Sequence, residues 1–351
     1  MKRNLAVAAT ILTACLFAAV PGYGASPESK LQKLIEGAKA EGTLDIMATW
    51  RPVEANAIFE GFKRAYPFIH VRQTTMAGVV GFERIRAEFA SGRRTTDLVS
   101  ASAPEYEKAD MLQTWPDWFE TFPQTSKKVV HPSLFGVLEP SSVYGLIYRS
   151  DLVPRDLQPL TYAKLSDPRF TGGKLAFNMR QYYHWGVFYP KWNDEEIIRY
   201  AKEVLVPQKP KLCDGNGACW EMLVRGETWA LPALGAFAYF SRYEPKGVKN
   251  IAIASDHAAV DEGKPIIFLK NAPHPNAAKI FLHWITTSGA QEIFVKHRGR
   301  ADPYNPNNAV GAWVKKHNAK LFDHPTEARE LRSRELGAMV LQMLGVPIPQ
   351  K

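Results

Sequence analysis

Two arginines stand where the chain turns after an apolar run. Arg51 follows Leu44, Ile46 and Ala48, and Arg180 follows the run Lys174 to Phe177. A guanidinium is a planar fork of donors that matches a carboxylate or a phosphate. The two arginines are therefore candidates to hold an anionic ligand, or else to form an ordinary ion pair. Aromatic residues share these turns and those near residue 237: Trp50, Tyr182, Tyr183, Trp185, Phe237 and Tyr239. Such side chains wall an organic ligand, or simply pack a core. Thr49, Ser100 and Ser102 add hydroxyls, and His184 adds a ring nitrogen. No G-x-S-x-G elbow, H-E-x-x-H helix or phosphate-binding loop occurs. The turns hold almost no acids, so no general acid or base stands out. The expected chemistry is binding without turnover, with no catalytic residue and no cofactor. Paired carboxylates for an exported hydrolase stay open.

Cys213 and Cys219 flank Asp214-Gly215-Asn216-Gly217-Ala218. In an oxidising compartment they are expected to close a small disulfide loop, which the two glycines make feasible. The spacing is not C-x-x-C and has no second ligand cluster, which argues against a metal site.

The first 25 residues point to export. Lys2 and Arg3 precede a chargeless stretch from Leu5 to Val20, and small residues follow at Gly22, Gly24 and Ala25. That is the shape of a signal peptide. Cleavage after Gly24 or Ala25 would release a soluble chain. Leu12-Thr13-Ala14-Cys15 resembles a lipobox, which would leave a lipid on Cys15 instead. Removing the segment lowers the formal charge from +9 to +7. The basic residues are scattered, with no run of like charges, which fits a solvated surface and not a nucleic-acid partner. The chain of 351 residues is long enough for two modest lobes.

The elements that must position these residues follow from apolar spacing. Leu31, Leu34, Ile35 and Ala38 mark a helix between Ser26-Pro27 and Gly42. Leu44, Ile46 and Ala48 mark a strand. Ile58, Phe59, Phe62 and Tyr66 mark the next helix, ended by Pro67, and Ile69 and Val71 begin a second strand. Phe82, Ile85 and Phe89 mark a helix closed by Gly92, and Asp97-Leu98-Val99 is a third strand. This alternation predicts a parallel α/β sheet with right-handed crossovers. Ligands bind beyond the carboxyl ends of such strands. The ligand-facing turns are then 49–51, 74–78 and 100–102. A second unit follows Tyr148, with strands at 174–177, 229–231 and 250–254 and a helix-start signature at Asn193 and Glu196. A further helix is expected from Ser288 with Gln291.

Three segments carry a resemblance. Gly145-Leu146-Ile147-Tyr148-Arg149-Ser150-Asp151-Leu152-Val153 resembles the point where type II solute-binding proteins cross into their second lobe. Leu165-Ser166-Asp167-Pro168-Arg169-Phe170 with Gly172-Gly173-Lys174 resembles the stretch that follows. Ala272-Pro273-His274-Pro275-Asn276-Ala277-Ala278-Lys279, running to Gln291, resembles the helix returning to the first lobe. The chain thus resembles extracellular solute-binding proteins of family 1, near the ferric-iron-binding branch. The resemblance implies a type II periplasmic binding protein fold. Lobe 1 would comprise 26–140 and 265–351, and lobe 2 would comprise 141–264. Hinges would lie at 137–146 and 253–268, with the ligand cleft between the lobes. It also implies a periplasmic monomer that serves an ABC permease and its ATPase. Ferric-binding members use adjacent tyrosines in the second lobe, but here that position holds Phe237-Ala238. If iron binds, Tyr182, Tyr183 and Tyr239 are the candidate ligands. Otherwise a small organic anion is expected.

Overall fold

The computed structural model describes residues 26–76, 78–180, 188, 192–261, 265–322 and 327–346. Helix α1 (Pro27–Glu41) starts at Ser26, whose hydroxyl accepts from the Ser29 amide at 3.3 Å. It stops at Gly42, whose φ of 65° suits a residue without a Cβ. Ala38 is buried, and Leu31, Leu34 and Ile35 pack against the same core.

Strand β1 (Thr43–Met47), helix α2 (Pro52–Ala65), strand β2 (His70–Thr74), helix α3 (Gly78–Ala90) and strand β3 (Leu98–Ser100) follow. β1 pairs in parallel with both β2 and β3, as the alternation predicted. The chain steps from β1 to β2 and back past β1 to β3, so right-handed crossovers put α2 and α3 on opposite faces. Ile58 and Phe62 of α2 join a core with Trp115, Trp118 and Phe281, while Ile85 of α3 joins Met47 and Tyr106. Trp115 and Trp118 are thus packing residues, their rings 4.7 Å apart.

Helices α4 (Pro104–Lys108) and α5 (Trp118–Thr121) lead to β4 (Gly136–Leu138). The chain then crosses through 139–141 into β5 (Ser142–Arg149), the centre of a second sheet. The second unit continues with β6 (Ala176–Asn178), α6 (Asp194–Tyr200), β7 (Lys211–Cys213), α7 (Asn216–Val224), β8 (Ala230–Gly235) and β9 (Ile251–Asp261). Asn193 and Glu196 form the predicted reciprocal cap of α6. β5 runs antiparallel to both β8 and β9. The strand expected at 229–231 extends to Gly235.

From β9 the chain returns to the first sheet. β10 (Pro265–Phe268) inserts antiparallel between β3 and β4, giving the order β2-β1-β3-β10-β4. Helices α8 (Pro275–Ile285) and α9 (Ser288–Arg298) cover its α2 face. Thr287 caps α9, and Gln291 is buried, donating to the Ile285 carbonyl and accepting from the Asp302 amide.

Beyond α9 the chain changes sides again. Ala301 pairs with Ser141 of the first crossing. Helix α10 (Ala309–Lys316), strand β11 (Leu321–Phe322) and helix α11 (Glu327–Met343) then join the second unit. Val310 and Trp313 pack with Tyr239 and Phe240, β11 pairs with β9, and Leu336, Val340 and Leu341 enter the core around Tyr162. The expectation placed all of 265–351 with the first lobe, whereas α10, β11 and α11 pack against the second unit. The apolar residues of α10 and α11 find their partners in the second core.

Candidate interlobe site

Residues of the first unit gather near the 139–141 crossing, where Arg298 reaches Glu139. Arg51 caps α2 there, directly after β1. Its backbone amide donates to the Glu54 carboxylate at 3.1 Å, and its guanidinium reaches the same carboxylate at 2.6 and 2.9 Å. Pro52 occupies the first helical position, where a missing N–H costs nothing. Glu54 is buried, whereas the Arg51 side chain remains 67% exposed and can turn to another anion.

Trp50 does not face a ligand. It is buried among Phe59, Phe281 and Phe294, and its indole N–H donates to the Glu139 carboxylate. An aromatic directly after a strand reads alike whether it turns in or out, and here it turns in. Glu139 also meets the guanidinium of Arg298, in the last turn of α9, whose Nε lies 3.6 Å from Glu54. Burial lowers the Arg298 pKa to about 10, aided by repulsion from Arg300 and Arg51. That is still far enough above neutrality to keep the cation.

The facing wall comes from the second unit. β8 ends at Gly235, and Phe237 and the wide helical turn Tyr239–Tyr243 follow. Phe237 is half-buried, with the Arg300 guanidinium 5.5 Å from its ring centre. The Ser241 hydroxyl donates to the Phe237 carbonyl at 3.0 Å, and Arg242 is exposed. Between the walls lies a cavity of about 230 Å³, bordered by Arg51, Glu54, Phe237, Ser241, Arg242, His297, Arg298 and Arg300. Larger cavities of about 360 and 490 Å³ lie beside the crossing and beside α1. The smaller one is preferred because charged groups from both units converge on it.

Of the predicted site residues, Arg51 and Phe237 meet at this cavity. Thr49 and Ser102 are exposed, and Ser100 is buried in its strand; none of them borders it. Arg180 lies at the ends of β6 and β7, 71% exposed and paired with Asp214 at 2.9 Å. That pair holds the Asp214 carboxyl below its ordinary range. Tyr239 is buried between Trp220 and Trp313, and burial pushes its hydroxyl up to about 12. Tyr239 does not border the cavity, which counts against it as a metal ligand there. Tyr182, Tyr183, His184 and Trp185 lie outside the described residues.

Arg242, Arg298, Arg300, Ser241 and Glu54 were not anticipated. The acids at the site, Glu54 and Glu139, stand outside the turns read as ligand-facing, on a helix start and on the crossing. The local signal for the arginines was the run Arg298-Gly299-Arg300, two cations flanking a helix stop.

Cys213 and Cys219 form the expected disulfide, with Cα atoms 5.2 Å apart. It ties the end of β7 to α7. Reducing it should cost about 2 kcal/mol, since the closed loop is short. Urea unfolding of the Cys213→Ser/Cys219→Ser variant checks this, and a loss near zero would contradict it.

One carboxylate–histidine group occurs among the described residues. Asp45, Asp97 and His274 bring their polar atoms within 4.8 Å. Asp97 already accepts from the Asp45 and His274 amides, and Arg72 holds Asp45. Asp97 precedes β3, at the end of the sheet away from the cavity, and the group binds α8 to the strands.

No protein-family model matches the chain, and no curated protein matches it in sequence. Solved structures do resemble it. Iron-bound HitA from Pseudomonas aeruginosa is 17% identical, with a TM-score of 0.56 over 85% of this chain and 99% of that one. Ferric iron-binding protein A of Mannheimia haemolytica, in an open conformation, is 10% identical, with a TM-score of 0.60 over 87% and 98%. AfuA of Actinobacillus pleuropneumoniae, with fructose-6-phosphate bound, is 15% identical, with a TM-score of 0.56 over 87% and 99%. The likeness covers most of the chain and shows the fold: a two-lobed periplasmic-binding-protein architecture with its lobes joined by crossover strands.

Proposed function

We propose that this protein is the solute-binding component of an ABC importer, exported to the periplasm, where it captures a small anion between its lobes. One observation carries the reading: arginines from both lobes converge on one cavity at the carboxyl ends of the strands. A guanidinium on each wall lets one anion reward closure, because only the closed form engages both. The first lobe is 26–140 with α8 and α9, and the second is 141–264 with α10, β11 and α11. Hinge motion is expected within the segments 137–146 and 253–268. The monomer would hand its ligand, chemically unchanged, to a permease driven by an ATPase. The disulfide agrees with an oxidising compartment. No described helix is long and apolar enough to cross a membrane. The N-terminal segment serves export, by ordinary cleavage or by lipidation at Cys15.

The ferric alternative draws support from the fold shared with iron-binding proteins. With Tyr239 buried, it rests on Tyr182 and Tyr183.

A thermal-shift screen of refolded, stripped protein tests the proposal. Carboxylates and phosphate esters should stabilise it, by about 2.7 kcal/mol at a hundredfold excess over Kd. Solution scattering should show compaction with the same compound. A shift with ferric citrate, accompanied by a tyrosinate-to-iron colour band, would favour the alternative. Arg51→Ala should weaken anion binding by about tenfold or more, the loss of one charge-assisted contact. Arg180→Ala, outside the cavity, should leave it within about twofold. The reverse pattern, read by calorimetry, would move the site to the ends of β6 and β7.

A further inference from the structure

Building on the anion reading, we infer that the solute is a small dianion, one negative group held by Arg51 on the first wall and the other by Arg242 on the second. The two arginines differ from their neighbours in the cavity. Arg298 is committed to buried carboxylates, whereas Arg242 is exposed and Arg51, although it holds Glu54, keeps a side chain that is 67% exposed. Arg242 borders the cavity and has no carboxylate partner among the described residues. A monoanion neutralises one wall only. The guanidinium opposite would then approach its like charges without a counter-ion, which opposes closure. Four arginines, Arg51, Arg242, Arg298 and Arg300, border the cavity against Glu54 alone in its lining and Glu139 behind Arg298, so positive charge is in excess there. A second negative group removes that penalty and gives the second lobe its own reason to close.

Size narrows the class. The cavity of about 230 Å³ lies below the range of about 300–1,000 Å³ usual for drug-sized ligands. That suits a short dicarboxylate or a phosphorylated three-carbon compound. The half-buried Phe237 ring supplies an apolar surface for the carbon chain between the charged ends. Linear polycations are excluded by the same arginines.

The test is calorimetric titration of the mature protein with succinate, glutarate and glycerol 3-phosphate, beside monomethyl succinate and butyrate. The best dianion should bind about tenfold or more tightly than the monoanions, one charge-assisted contact's worth. Arg242→Gln should compress that preference to about threefold or less, and Arg242→Lys should restore part of it. Arg242 is exposed, so neither change should alter the unfolding of the empty protein. Monoanions binding as tightly as dianions would overturn this inference and leave the anion reading standing. So would an Arg242→Gln variant that loses affinity equally for both. If none of the five compounds binds while ferric citrate does, the anion reading fails, and this inference with it.

Discussion

Arg298→Met should lower folding stability by about 3–5 kcal/mol, as expected when one partner of a buried ion pair is removed. The guanidinium is 16% exposed, and the carboxylates it serves, Glu139 and Glu54, are 8% and 10% exposed. Methionine fills much of the space but leaves Glu139 with only the Trp50 indole N–H as a described donor. A buried carboxylate without its cation carries a desolvation cost that one neutral donor offsets poorly. Glu54 suffers less, because Arg51 still holds it at 2.6 Å. The double variant Arg298→Met/Glu139→Gln should therefore recover more than half of the loss. Glutamine keeps an acceptor for Trp50 and removes the stranded charge. Urea midpoints of the two variants give the answer. A single-variant loss under about 1 kcal/mol would mean that water reaches the pair, as it does for surface bridges. The location gives the effect functional weight. Glu139 lies on the crossing between the lobes, so the same contact that stabilises α9 also fixes where the second lobe begins.

The parts of this architecture that could be read from sequence are those set by local periodicity. Leu44, Ile46 and Ala48, then Ile58 and Phe62, then Ile85 repeat at strand and helix spacing, and each is buried where that spacing put it. The alternation then implied a parallel sheet and the edge at which a ligand is expected. Arg51 and Phe237 reached the cavity because they follow strands directly. Contacts between distant segments left no such trace. β10 slots between β3 and β4 from the far half of the chain, and Arg298 meets Glu139 across a similar separation. Neither position has a local pattern that names its partner. Trp50 and Tyr239 show the complementary error. An aromatic in a turn suits a ligand wall and a core equally, and only the packing of Phe281 or Trp313 around it decides. The C-terminal residues Leu336, Val340 and Leu341 follow helical spacing, but periodicity says nothing about which of two cores receives them.

Gly299→Ala isolates the backbone contact that spaces the two walls. Gly299 ends α9 with φ at 66°, where a side chain is disfavoured by about 1–2 kcal/mol. A Cβ there would also lie 1.7 Å from the Phe237 carbonyl oxygen. That neighbour is backbone, held at the end of β8, and no rotamer change relieves the overlap. Either the end of α9 or the Phe237 turn must shift, and both carry cavity residues. The expected result is a stability loss above about 2 kcal/mol, strain and overlap together, with a clear fall in anion affinity. Gly42→Ala is the matched control. Gly42 also ends a helix, with φ at 65°, but an added Cβ there meets nothing within 4 Å. It should cost about 1 kcal/mol from conformation alone and leave binding unchanged. Urea unfolding and titration of both variants separate the conformational effect from the steric one. Equal losses of stability with equal affinities would mean that the approach of Gly299 to Phe237 does not set the distance between the arginines. A loss of affinity confined to Gly299→Ala would mean that this single close contact holds Arg298 and Arg300 in register with the second lobe.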